Sequence, residues 1–117
     1  NIKVSAFIDP LISQIDSAKH IGFELIELHT GNYANSANER QFEELQRIIE
    51  STYYASSLNL IVNAGHGLNY QNVTKISSID NINELNIGHS IVSRALAVGL
   101  EKSVREMKTL ISNKLSI

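Results

Sequence analysis

The chain has 117 residues, 43% of them hydrophobic and 19% charged, which is ordinary for one soluble domain with a packed core. Its net charge of −2 supplies no basic field to gather a polyanion, so no nucleic-acid partner is expected. The absence of cysteine excludes disulfides, thiolate metal sites and thiol nucleophiles, and no apolar run approaches the roughly 20 residues of a membrane span.

The chain opens at Asn1 without methionine and enters a strand-like run, Ile2 to Ile8, almost at once, which reads as a start inside a longer protein. No signal-peptide pattern precedes that run, and a cytoplasmic setting is expected. After Asp9 and Pro10, the residues Leu11, Ile12, Ile15, Ala18 and Ile21 recur at helical spacing until Gly22 stops the pattern. A second strand, Phe23 to His29, runs into a polar loop reaching about Asn38. The long helix that follows carries Phe42, Leu45, Ile48, Ile49 and Tyr53 on one face, with Glu39, Glu43 and Glu44 near its positive end. The third strand, Leu60 to Ala64, closes on Gly65, His66 and Gly67. A short helix with Val73, Ile76 and Ile79 leads to the fourth strand, Ile82 to Ile87, which closes on Gly88 and His89. Two helical stretches, about 90–98 and 101–115, finish the chain and are separated near Gly99.

Strict alternation of strand and helix, with connections too long for hairpins, predicts an α/β fold with a parallel sheet. Four such units are half of an eight-unit barrel, which typically needs about 250 residues. An open flavodoxin-like sheet, normally five-stranded, is the competing architecture.

Because side chains alternate along a strand, Ser5, Phe7 and Asp9 share a face, as do Leu25, Glu27 and His29, and Glu84, Asn86 and Gly88. Asn63 stands alone among apolar neighbours. Polar groups at the carboxyl ends of parallel strands mark the place where a ligand would compensate them. Most of these residues also have plain structural readings. Asp9 and Pro10 fit a cap for the first helix better than a ligand contact, and Glu84, near its strand's start, fits a solvated position. His20 suits the negative end of its helix. Tyr53 and Tyr54 fit helix packing, and the basic residues of the last helix alternate with acids as on a solvated face. His29 is either a satisfied interior histidine holding Glu27 or a participant in chemistry. The two glycine-flanked ends are harder to explain away. Main-chain N–H groups at Gly67, Gly88 and His89, with a helix starting near Ser90, would hold a phosphate beside His66 and Glu27.

The stretches Glu27-Leu28-His29-Thr30-Gly31-Asn32-Tyr33-Ala34, Val62 to Tyr70, and Glu84 to Val92 closely resemble the pyridoxine 5′-phosphate synthase family. That resemblance runs over essentially the whole chain and implies that residues 1–117 are the C-terminal half, strands five to eight, of a single TIM (β/α)8 barrel domain. It implies condensation of 3-amino-2-oxopropyl phosphate with 1-deoxy-D-xylulose 5-phosphate to give pyridoxine 5′-phosphate, inorganic phosphate and water. The partners it implies are these small phosphorylated ketones and further copies of the chain in a homo-oligomer; it implies no metal and no organic cofactor. By motif position, His66 resembles the family's proton donor, Glu27 its transition-state stabiliser, and Gly67, Gly88 and His89 its phosphate-binding positions. A non-catalytic phosphate-binding half-barrel, or another phosphosugar enzyme on the same barrel, is the alternative.

Overall fold

A computed structural model describes residues 1–116 and lays four short parallel strands side by side in chain order. These are β1 (Ser5–Ile8), β2 (Leu25–His29), β3 (Ile61–Gly65) and β4 (Ile82–Asn86). Between and after them come α1 (Ile12–Ile21), α2 (Gly31–Ala34), α3 (Asn38–Ser57), α4 (Val73–Ser77), α5 (His89–Val98) and α6 (Leu100–Ser112). A doubly wound sheet reverses its strand order at a switch point. No reversal occurs among the described strands, an order consistent with half of a barrel.

Sequential parallel strands joined by right-handed crossovers carry their helices on one side of the sheet. The core lies there. Ile26 and Leu28 of β2 and Val62 and Ala64 of β3 are buried with Ile15 of α1, Leu45 and Ile48 of α3, Val73 and Ile76 of α4 and Met107 of α6. Each such aliphatic side chain contributes about 1.5–3 kcal/mol on leaving water. The result is a two-layer slab of 45 × 40 × 23 Å. On the other face the strand register puts Phe7, Glu27, Asn63 and Glu84 in one row, where Phe7 and Glu84 are exposed. An irregularity between Val62 and Asn63 shifts the β3–β4 pairing by one residue, and the skipped Asn83 donates from its Nδ2 to Asn63 Oδ1 at 3.2 Å. Asn63 is thereby a satisfied buried amide.

Three local expectations are corrected by the tertiary structure. Asp9 and Pro10 do not cap α1; Leu11 occupies that position without a side-chain bond, and the Asp9 N–H donates to Gln14 Oε1 at 2.8 Å. The polar loop after β2 contains the short helix α2, whose Tyr33 is buried with its hydroxyl donating to the Asn72 carbonyl at 2.7 Å. Burial raises the Tyr33 phenol above its ordinary pKa. Finally, the face of α3 that meets the sheet is Leu45, Ile48, Ser51, Thr52 and Ala55, whereas Phe42 and Tyr53 stand on an adjacent stripe and are exposed. Glu44 is buried, its carboxylate 3.8 Å from Arg47. Tyr54 does pack as expected, donating to Asp16 of α1 at 2.5 Å. Glu84 is exposed, His20 sits in the last turn of α1, and Arg105 pairs with Glu101 on the solvated side of α6. Among the described residues no helix is long and apolar enough to cross a membrane.

Candidate functional site

Parallel strands deliver their carboxyl ends to one edge of the sheet, and there the chain leaves β3 and β4 through glycine-rich turns. A cavity of about 620 Å³ opens at that edge, lined by Glu27, His66, Gly67, Gly88 and His89 together with Phe7, Asn69, Asn86 and Ser90. All five residues singled out for chemistry or phosphate contact therefore meet at one place. His29 does not line the cavity and Asp9 is not part of it.

The glycine that ends β3 is a matter of space. A Cβ on Gly65 would collide with the Glu27 carboxylate and approach the Asn86 carbonyl to 2.9 Å, so the bare backbone lets Glu27 lie across the strand towards the cavity. The unusual backbone of this turn is shared between a glycine and the histidine before it. Gly67 has φ +76°, but the positive φ before it falls on His66 itself, at +88°. A non-glycine residue there is strained, by about 1–3 kcal/mol, and persists only when its surroundings hold it.

Those surroundings come from the end of β2. Thr30 is fully buried, and its hydroxyl lies 2.8 Å from the Gly65 carbonyl and 2.7 Å from the His66 carbonyl. Its main-chain N–H donates to the same Gly65 carbonyl at 2.8 Å. The far side of the turn is held by an asparagine pair: Asn72 accepts from the Asn69 N–H at 2.8 Å and donates from Nδ2 to the Gly67 carbonyl at 3.2 Å. His66 thus projects from a turn tied down on both flanks.

The β4 end is built more openly. Gly88 caps α5 with φ −130°, and nothing lies within 4 Å of where its Cβ would be. The first N–H groups of an α-helix have no partner within the helix and carry its partial positive charge, so the start of α5 presents donors to the cavity. Ser90 joins the two turns by donating from Oγ to the Leu68 carbonyl at 2.8 Å. Phe7, Asn69 and Ser90 were not singled out as site residues from the sequence. Ser90 and Asn69 have ordinary turn roles, and Phe7 reads as core until the sheet face above it is seen to be open.

The described residues hold no group of three or more histidine, cysteine, aspartate or glutamate side chains arranged to take a metal ion. What the edge offers is a row of main-chain donors and a helix start for an anion, beside an imidazole able to transfer a proton and a carboxylate able to steady positive charge.

Comparison with known proteins gives the family. Residues 1–113 match the family described as pyridoxal phosphate biosynthesis protein PdxJ, and the chain belongs to it. It is 71% identical over 113 residues to a pyridoxine 5′-phosphate synthase of Prochlorococcus marinus (strain MIT 9215), covering 97% of this chain and 48% of that protein. A synthase of the same name from Coxiella burnetii (strain Dugway 5J108-111) is 54% identical over 112 residues, covering 95% of this chain and 47% of the relative. The chain therefore spans about half the length of the curated relatives it matches.

Proposed function

We propose that this chain forms the C-terminal half of a (β/α)8 barrel that condenses 3-amino-2-oxopropyl phosphate with 1-deoxy-D-xylulose 5-phosphate to pyridoxine 5′-phosphate. The observation that carries this reading is the meeting of Glu27, His66, Gly67, Gly88 and His89 around a single cavity, in a chain of the PdxJ family. The barrel is supported by the sequential parallel strand order and by a sheet face left open opposite the helices, where four further strands would close the ring.

In this reading the phosphate of the amino ketone sits on the N–H groups of Gly67, Gly88 and His89, at the positive end of α5. His66 donates a proton to a departing oxygen, and Glu27, lying across Gly65, stabilises the positive charge that develops on the amine-derived nitrogen. Neither step calls for a metal or an organic cofactor. The setting is cytoplasmic; the assembly is a homo-oligomer, a reading supported by the exposed apolar side chains Val92 and Leu96 of α5.

The decisive test is titration and turnover of the amino-ketone phosphate with the intact protein and with His66→Asn. Turnover falls by roughly 10²–10⁴-fold in the variant while binding is retained. Unchanged turnover removes His66 from the chemistry, and absence of binding by both proteins removes the substrate. The 117 residues produced alone give no synthase turnover, since one half of the ring supplies only part of the groups a barrel site draws from its strand ends; product formation at the rate of the intact protein refutes the half-barrel assignment.

A further inference from the structure

His66 is held at its main chain by Thr30, but that contact does not set the direction of its ring. The ring rests on another imidazole. His29 and His66 stack with centroids 4.5 Å apart and planes 25° from parallel, and the Phe7 ring lies tilted at 45° to His29 with centroids 5.0 Å apart. His29 is itself fixed about its own axis, because the Gly31 N–H donates to its Nδ1 at 3.1 Å. With Nδ1 occupied as an acceptor, a neutral His29 carries its proton on Nε2 and cannot turn over without losing that bond. Gly31 makes room for the arrangement: a Cβ there would collide with His29 Cε1 and come within 3.1 Å of His66 Cδ2. Phe7, His29, Gly31 and His66 thus pack together, contributed by β1, by β2, by the start of α2 and by the turn after β3. No hydrogen bond joins His29 to Glu27 among the described residues, so the stack and not a carboxylate pairing accounts for this histidine.

We propose that His29 is a positioning residue whose imidazole, hooked in place by the Gly31 N–H, serves as the platform that aims His66 into the cavity. The inference rests on the assignment of His66 as proton donor, and it explains a residue that the cavity itself leaves without a role. A donor misdirected by about 1 Å can lose as much as 10²-fold in rate. His29 touches no substrate in this scheme and acts only through the ring beside it.

The test compares His29→Ala, His29→Asn and His29→Phe in the intact protein, by steady-state kinetics and by NMR of the His66 ring with labelled histidine. Alanine lowers kcat by about 10–100-fold with KM within about twofold. Asparagine, which keeps an acceptor for Gly31 but no ring, is as poor. Phenylalanine, which keeps the platform, recovers most of the rate. The His66 ring protons lose the upfield displacement of a stacked aromatic in the alanine and asparagine variants and keep it in the phenylalanine one. The idea is overturned if the His66 signals are the same in the alanine variant as in the parent, if phenylalanine is as slow as alanine, or if the alanine loss persists in full on a His66→Asn background. Should the parent show no synthase turnover, the functional reading falls while the NMR comparison still decides the stack.

Discussion

The two turns that frame the cavity are made differently. The turn after β3 is overdetermined: Thr30, Asn69 and Asn72 hold its main chain, the buried Tyr33 secures Asn72, and the His29 ring stacks on the imidazole it carries. The turn after β4 is held by the single Ser90 hydroxyl and by a helix, α5, none of whose residues is buried. A strained histidine needs many constraints to keep one direction, whereas main-chain donors for an anion need only be unobstructed. One turn is preorganised by its own fold, and the other is held by few contacts of its own.

Substitutions at the two turns sharpen this contrast. Thr30→Val leaves the His66 carbonyl without its partner inside the protein, so the chemical denaturation midpoint drops by the equivalent of about 1–3 kcal/mol and turnover falls with it. Ser90→Ala costs less, about 0.5–1.5 kcal/mol, and shows chiefly as weaker binding of inorganic phosphate in a calorimetric titration. If Ser90→Ala were the more damaging to stability, the order of rigidity argued above would be reversed.

The smallest effect concerns pH. Arg94 of α5 bonds to Glu106 of α6 at 3.0 Å and holds that carboxyl below its ordinary range. Since the folded-state value lies under the unfolded one, this contribution is present above the ordinary carboxylate pKa and is lost as pH falls through the lowered value. The pair is solvent-exposed, so its effect is slight and weakened by salt. Denaturation of the Glu106→Gln variant between neutral and acid pH tests it: the difference from the parent narrows as the pH falls.

Much of this architecture was legible in the residues themselves. The four strands and most of the helices follow from hydrophobic periodicity, and the polar positions Glu27, His66 and His89 stand out because each sits at a strand end bounded by glycine or by alternation. Phe42 and Tyr53 were misplaced for a definite reason. Periodicity reports a stripe on α3, but the sheet meets only the neighbouring stripe through Leu45, Ile48 and Ala55. Asp9 was misassigned because its main chain, not its carboxylate, is engaged, and composition cannot distinguish the two.

The sequence by itself determined the alternation of elements, the glycine-bounded ends and the chemical character of the groups available there, because those depend on the direction of each Cβ and on local backbone freedom. Only the tertiary structure decided that the strands lie in sequential order, that His66 and not Gly65 bears the positive φ, and that His29 lies flat against it. Those outcomes depend on contacts between segments far apart along the chain, such as Thr30 with Gly65, 35 residues away, whose register is settled by packing the whole sheet at once.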